Sequence, residues 1–80
     1  MAYNDSRNPL RALSKRIGAK IHIRLKDGTQ YVGKLKEYDS YMNIIITEAE
    51  EKVSETEPVQ KFTELFIRGN NILFVKPIQE

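Results

Sequence analysis

The chain has 80 residues and a formal net charge of +2, and it contains no cysteine. This length predicts one domain with a small core, and without cysteine neither disulfides nor a thiolate metal site can stabilise that core. Small domains of this kind often gain stability by oligomerising. No apolar run approaches the roughly 20 residues of a membrane helix, and no signal-peptide pattern opens the sequence. We expect a soluble cytoplasmic protein.

The small net charge conceals two halves of opposite sign. Residues 1–36 carry nine Lys and Arg against two Asp and Glu, a balance of +7. Residues 37–80 carry four against nine, a balance of −5. A basic half is compatible with a polyanionic partner such as nucleic acid, although solvated protein surfaces carry similar charges. Charge alone leaves both interpretations open.

A short helix is predicted at the start of the domain. Asn8 is placed as its N-cap and Gly18 as its C-terminal stop. Leu10, Leu13 and Ile17 fall on one face at helical spacing. Because a helix this short is not stable alone in water, its apolar face must dock on the rest of the domain.

The remaining sequence predicts five strands joined by turns. Apolar and polar residues alternate over residues 21–26, and Asp27-Gly28 is a strong signal for a hairpin. A second strand runs over residues 31–38, where Gly33 indicates a sharp bend or a close backbone contact. Further strands are predicted over residues 43–47, 62–68 and 71–76. Residues 48–61 are acidic and predict a loop, with lengthening of the two flanking strands as the alternative.

The last two predicted strands are apolar without alternation, which is typical of strands covered on both faces. One chain of this size covers only one face, and an exposed apolar edge strand promotes aggregation unless another chain pairs with it. Head-to-tail pairing that closes on itself gives a ring. We therefore predict a subunit interface formed by Leu65, Phe66, Ile67, Ile72, Leu73, Phe74 and Val75.

Two polar turns between apolar strands carry the candidate functional residues. In the first, residues 39–43, Tyr41 offers a face for base stacking and Asn43 an amide for hydrogen bonds to a base edge. The second contains Arg68, a cation that can stack on a base or contact phosphate. Asp, Asn and Gly are also ordinary turn residues, so either turn alone would indicate backbone capping rather than ligand binding.

Neither an enzyme nor a metal site is predicted. His22 is the only histidine, and we expect it to face solvent on the first strand. The glutamates of residues 48–57 lack the spacing of a calcium loop, which favours a solvated acidic loop. No nucleophile–base pair, metal cluster or phosphate-binding loop is recognisable. We expect no catalytic activity, no cofactor, no small-molecule substrate and no membrane partner.

In this order, the helix, the strands and the two turns resemble the Sm/Sm-like (LSm) protein family. The resemblance to the first Sm motif lies in three segments of this chain: IHIRLKDG at residues 21–28, YVGKL at residues 31–35 and DSYMN at residues 39–43. The resemblance to the second Sm motif lies in LFIRGNNILFV at residues 65–75. The uninterrupted Ile-Arg-Gly-Asn turn is similar to that of archaeal and eukaryotic members rather than bacterial ones.

This resemblance implies a mostly β fold, in which a short N-terminal helix precedes a strongly bent five-stranded antiparallel barrel. It places the domain at residues 8–77, between a mobile tail at residues 1–7 and a C-terminal tail at residues 78–80. It also implies a ring, most often a homoheptamer, that binds uridine-rich single-stranded RNA at its pore. The implied role is RNA processing or ribonucleoprotein assembly, like that of small nuclear ribonucleoproteins.

The resemblance assigns roles to the first turn. Tyr41 would stack on a base, Asn43 would hydrogen-bond the edge of that base, and Asp39 would hold Asn43 or the turn in place. Many family members have histidine at the position of Tyr41.

In the second turn, Arg68 would cover the other face of the base. Gly69 and Asn70 would shape the loop and contact base or sugar. The alternatives are a ring that scaffolds proteins, or one subunit of a hetero-oligomeric Sm-like complex without strong oligo(U) binding of its own.

Overall fold

A computed structural model describes residues 9–53 and 59–78. The described elements, in chain order, are α1 Pro9–Ser14, β1 Lys20–Leu25, β2 Gln30–Tyr38, β3 Ile44–Lys52, β4 Gln60–Ile67, a 3-10 turn Gly69–Asn71 and β5 Ile72–Pro77. The predicted mostly β fold with a short N-terminal helix is confirmed. The predicted N-terminal tail and most of the C-terminal tail lie outside the described residues. No helix in the described part of the chain is long and apolar enough to cross a membrane.

The five strands form one antiparallel sheet in the order β4-β3-β2-β1-β5. The predicted hairpin between β1 and β2 is present, with Gly28 in the left-handed region at a φ of 96°. Asp27 stabilises this turn, because its Oδ1 accepts a hydrogen bond of 2.9 Å from the backbone N–H of Thr29. The pairing register shifts once between β1 and β5 and twice between β2 and β3, which bends the sheet around the core.

Gly33 lies at the bend of β2. A β-carbon at this position would come within 2.9 Å of the carbonyl oxygen of Thr47 and 3.2 Å of the Cα of Ala49. The predicted close backbone contact is therefore confirmed. On the facing strand, Glu48 adopts a left-handed φ of 49° where the register shifts, so both strands deviate at the same place.

The core lies between the bent sheet and α1. Its buried members are Leu13, Ile21, Ile23, Leu35, Ile44, Ile46, Ala49, Ile67 and Val75. The burial of Leu13 confirms that α1 docks on the sheet. The helix ends at Ser14, however, so the prediction that Ile17 continues its buried face is wrong. After Ser14 the backbone is held by β2 instead: Leu35 accepts a hydrogen bond from the N–H of Gly18 at 2.8 Å, and Ile17 remains exposed.

Strand β3 continues to Lys52, beyond its predicted end at residue 47. Residues 49–52 stay in the sheet because they pair with β2 on one side and with β4 on the other. Glu51 also accepts a hydrogen bond of 2.6 Å from the hydroxyl of Tyr31 on β2. Residues 48–52 and 60–61 are therefore strand and not loop, which confirms the alternative of lengthened flanking strands. Residues 54–58 lie outside the described part of the chain.

Strands β4 and β5 are the two outer edges of the sheet. Phe66 on β4 and Leu73 on β5 are 59% and 56% exposed, whereas Ile67 and Val75 are buried in the core of their own chain. The other members of the predicted interface are half-buried: Leu65, Ile72 and Phe74. Side chains available to a neighbouring subunit are thus chiefly Phe66 and Leu73, and the interface as a whole stays a prediction.

Candidate nucleic-acid interface

The two polar turns lie against each other at one end of the sheet. The first joins β2 to β3 and the second joins β4 to β5. They meet because Ile44, which begins β3, pairs with Ile67, which ends β4. The register of two neighbouring strands therefore brings together residues that are far apart in the sequence.

Asp39 holds the first turn in its conformation. Its Oδ1 accepts hydrogen bonds from the backbone N–H groups of Tyr41, at 2.8 Å, and Asn43, at 3.0 Å. Its Oδ2 accepts a third, at 3.0 Å, from Nδ2 of Asn43. The hydrogen bond from the Asn43 side chain and those from the backbone hold the pKa of Asp39 below its usual value. Asp39 is therefore ionised at neutral pH.

Gly69 packs directly on the first turn. A β-carbon at this position would overlap the carbonyl oxygen of Tyr41 and lie 2.8 Å from the carbonyl carbon of Met42. Met42 itself has a left-handed φ of 65°, which turns the backbone towards the second turn. The side chain of Met42 packs against the core. The contact between the turns thus leaves no space for a side chain at residue 69.

The side-chain amide of Asn43 is fixed at both ends. Its Oδ1 accepts a hydrogen bond of 2.8 Å from the backbone N–H of Gly69, and its Nδ2 donates to Asp39. Turning the amide over would place its N–H groups against the N–H of Gly69 and its oxygen against the carboxylate. Because an amide has two N–H donors and two acceptor lone pairs, one donor and one acceptor position remain for a ligand.

Three further predicted site residues project from these turns. Tyr41 is 81% exposed, and Arg68 and Asn70 are also exposed. Among the described residues, Arg68 makes no ion pair. All six predicted RNA-binding residues therefore belong to one contiguous pair of turns, in which an aromatic ring, an oriented amide and a cation are displayed together.

The second turn has a contact that the sequence did not indicate. The backbone N–H of Lys26, in the β1–β2 hairpin, donates a hydrogen bond of 2.9 Å to the carbonyl oxygen of Asn71. This contact attaches the hairpin to the second turn and brings another exposed cation near the site. No local pattern marks it, because it depends on the long-range pairing of β1 with β5.

The side chains that could bind a metal ion do not gather at one place within the described residues. His22 lies on the face of β1 opposite the buried Ile21 and Ile23, where it is half-buried and its Nε2 lies 2.9 Å from Oε1 of Gln30. Within residues 9–53 and 59–78, no group of three His, Asp or Glu side chains is close enough to hold a metal ion.

The LSM domain family model matches residues 11–77, a range that includes both turns and all five strands. The U6 snRNA-associated Sm-like protein LSm6 of Debaryomyces hansenii is 36% identical over 72 residues, which cover 90% of this chain and 84% of that protein. The "Putative snRNP Sm-like protein" of Methanosarcina barkeri is 39% identical over 69 residues, which cover 86% of this chain and 94% of its own.

Solved structures show the same fold. The SmAP (LSm) protein from Methanococcus vannielii has a TM-score of 0.77 at 37% identity, covering 91% of this chain and 99% of its own. A heptameric archaeal Sm protein has a TM-score of 0.78 at 29% identity, and the match covers 86% of this chain and 98% of that protein. The Sm protein of Pyrococcus abyssii, in complex with a uridine heptamer, has a TM-score of 0.81 at 28% identity, and the match covers 88% of this chain and 97% of that protein. With its bent five-stranded sheet and paired turns, this chain belongs to the Sm-like (LSm) family.

Proposed function

We propose that this protein forms a ring that binds uridine-rich single-stranded RNA, with the two turns of each subunit forming one base pocket. The observation that carries this proposal is the fixed amide of Asn43, which presents one donor and one acceptor in a set orientation. Tyr41 and Arg68, exposed in the same two turns, supply a stacking surface and a positive charge.

The orientation of the Asn43 amide favours uracil over cytosine. Uracil carries the acceptor O4 beside its N3–H donor, so it complements one N–H group and one amide oxygen. Cytosine carries an N4 amino donor beside an N3 acceptor, which is the reverse order. An amide that could turn over would accept either base. Asp39 and Gly69 prevent that rotation, so we expect discrimination between the two pyrimidines.

Tyr41 would supply most of the affinity at each pocket. Stacking of one base on an aromatic side chain contributes about 1–3 kcal/mol, which is weak for a single site. Repeated pockets along one strand raise the effective concentration of each following base. The similarity to the Pyrococcus abyssii Sm protein, which was solved with a uridine heptamer, supports the same class of ligand.

Ring closure would join the β4 edge of one subunit to the β5 edge of the next. Phe66 on one edge and Leu73 on the other supply exposed apolar side chains for this contact. The similarity to a heptameric archaeal Sm protein supports a homoheptamer. The similarity to LSm6 favours a second possibility, in which the chain is one subunit of a hetero-oligomeric ring.

The cellular role that we propose is RNA processing or ribonucleoprotein assembly in the cytoplasm, without catalysis by the protein itself. The names of two similar proteins support the link to RNA. One is named as U6 snRNA-associated, and the other is named a "Putative snRNP Sm-like protein".

Fluorescence anisotropy with labelled oligo(U) and oligo(A), on protein whose mass is fixed by light scattering, tests the proposal. We expect a mass near seven subunits, clear preference for oligo(U), and loss of binding in a Tyr41→Ala/Arg68→Ala variant that keeps its mass. A ring without preference for oligo(U) would contradict the pocket and favour a protein scaffold. A chain that stays incomplete alone would instead indicate a hetero-oligomeric complex.

A further inference from the structure

Cations surround an aromatic ring on the outer face of β5 and β1. The buried residues of β1 alternate with residues on the opposite side of the sheet. In register with these, β5 places Lys76 beside His22 and Phe74 beside Arg24. We refer to the following five residues as the outer basic patch: Lys20, His22, Arg24, Phe74 and Lys76.

Phe74 lies at the centre of the outer basic patch. Its ring meets that of His22 edge to face, with the centroids 5.7 Å apart and the planes at 70°. The Nζ of Lys76 lies 5.0 Å from the centroid of the Phe74 ring. Such a cation–π contact is weak at a surface site, and the flexible lysine stem can move away when a base stacks on the ring.

The charged side chains on the two strands that carry the outer basic patch are all cationic. Neither β1 nor β5 contains an Asp or Glu. On the neighbouring strands, Glu48 of β3 is paired with Lys34 at 3.0 Å, and Glu50 of β3 lies two strands from His22, in register with it through Val32. A surface on which cations lie around an aromatic side chain is suited to single-stranded nucleic acid, because the cations attract phosphates and the ring stacks on a base.

The outer basic patch is continuous with the second turn. Arg24 and Phe74 lie next to the place where the backbone of Lys26 is hydrogen-bonded to Asn71. From there the patch runs along β1 as far as Lys20. These strand positions span about 13 Å, which is enough for roughly two nucleotides. A strand leaving the turns would therefore reach the patch without crossing an acidic surface on β1 or β5.

We propose that the outer basic patch binds single-stranded RNA that continues beyond the uridine pocket. Lys20, Arg24 and Lys76 contact phosphates, and a base stacks on Phe74. This inference rests on the proposed function, since the pocket delivers the strand to the patch. Phosphate contacts and stacking do not distinguish bases, so the patch accepts any sequence. An acidic peptide would match the cations but would leave the aromatic ring unused.

The test compares labelled uridine heptamer with the same heptamer extended by a mixed sequence without uridine. In the unaltered protein the extended RNA should bind roughly five- to tenfold more tightly and with a steeper salt dependence. In Arg24→Ala/Lys76→Ala this gain should disappear while the affinity for the heptamer is unchanged. Phe74→Leu, which keeps an apolar side chain, should lose part of the gain. Light scattering confirms the mass of each variant.

The matched control is Lys15→Ala/Lys36→Ala, which removes two exposed cations outside the patch. It should retain the gain from the extension. Equal affinity of the two RNAs in the unaltered protein would overturn the proposal, as would equal losses on both RNAs in Arg24→Ala/Lys76→Ala. Failure of the uridine pocket looks different: oligo(U) would then show no preference over oligo(A), while the effect of the patch variant on the extended RNA would still be measurable.

Discussion

The backbone N–H of Gly69 donates a hydrogen bond of 2.8 Å to Oδ1 of Asn43, across 26 residues of sequence. This bond joins two turns that would otherwise be ordinary connections between strands. Because Asp39 holds the other end of the same amide, the contact also determines which hydrogen-bonding groups remain exposed. The candidate base pocket is therefore a property of the pair of turns and not of either one.

Gly69→Ala should separate the two turns. The added methyl group overlaps the carbonyl oxygen of Tyr41, so we expect a loss of about 1–3 kcal/mol in unfolding free energy and loss of oligo(U) binding. Chemical denaturation and anisotropy measure the two effects. Gly28→Ala is the control: its β-carbon meets no atom within 4 Å, although its φ of 96° makes it strained. It should lose stability but keep oligo(U) affinity. Full affinity in Gly69→Ala would refute the close contact.

Substitutions of Tyr41 should change RNA affinity without changing stability, because this side chain is 81% exposed. We expect Tyr41→Ala to lose about 1–3 kcal/mol of binding free energy per stacked base. Tyr41→Phe keeps the stacking face and should bind oligo(U) nearly as well as the unaltered protein. Titration by anisotropy, with thermal unfolding in parallel, measures both. If Tyr41→Phe is as weak as Tyr41→Ala, the hydroxyl and not the ring is the important group.

A charge at either exposed edge residue should disrupt the ring. Phe66→Asp and Leu73→Asp each place a carboxylate where an apolar contact with a neighbouring subunit is expected, and desolvating it there is unfavourable. Light scattering should give a smaller mass for both variants. Val53→Asp, which alters a similarly exposed side chain beyond the end of β3, should keep the mass of the unaltered protein. An unchanged mass in the two edge variants would contradict edge-to-edge assembly.

Acid should weaken the first turn through Asp39. Hydrogen bonds from Asn43 and from the backbone lower the pKa of this carboxyl in the folded protein below its ordinary value of 3.8. The resulting stabilisation is complete above that value and is lost as the pH falls through the lowered pKa. Melting temperatures of the unaltered protein and of Asp39→Asn should therefore converge below pH 3.8. Parallel curves over this range would show that the ionised carboxylate contributes no stability.

Alkali should act through Tyr31. Burial, reinforced by the hydrogen bond to Glu51 and by its charge, raises the pKa of this phenol from 10.0 to about 12. A raised pKa stabilises the folded state at pH values below 10.0, and this stabilisation is lost as the pH rises through about 12. In an ultraviolet titration, Tyr31→Phe should remove a phenol that ionises near pH 12. Loss of a phenol that ionises near pH 10.0 instead would contradict the burial of this group.

The parts of the fold that depend on local pattern were predictable. The Asp27-Gly28 hairpin and the close backbone contact at Gly33 follow from residue types that few other conformations accept. The ends of elements were not predictable, because tertiary hydrogen bonds decide them. Pairing with β2 and β4 keeps residues 49–52 in a strand despite their acidic composition. Hydrogen bonds to Leu35 direct the chain away from α1 after Ser14.

Much of the candidate site was also predictable, since its six residues stand in two short turns. The orientation of Asn43 was not, because it depends on a donor that the register of β3 against β4 brings close. The cluster around Phe74 was missed for a similar reason. In the sequence Phe74 belongs to an apolar run and predicts an interface, and only the pairing with β1 places it beside His22 and Arg24.

The most direct measurement is the ratio of oligo(U) to oligo(C) affinity in the unaltered protein and in Asp39→Asn. This substitution keeps an oxygen for the backbone N–H groups of the turn but replaces the acceptor that orients the Asn43 amide. We expect a clear preference for oligo(U) in the unaltered protein and a much smaller ratio in Asp39→Asn, at similar ring mass. The same ratio in both proteins would contradict base selection by an oriented Asn43 amide.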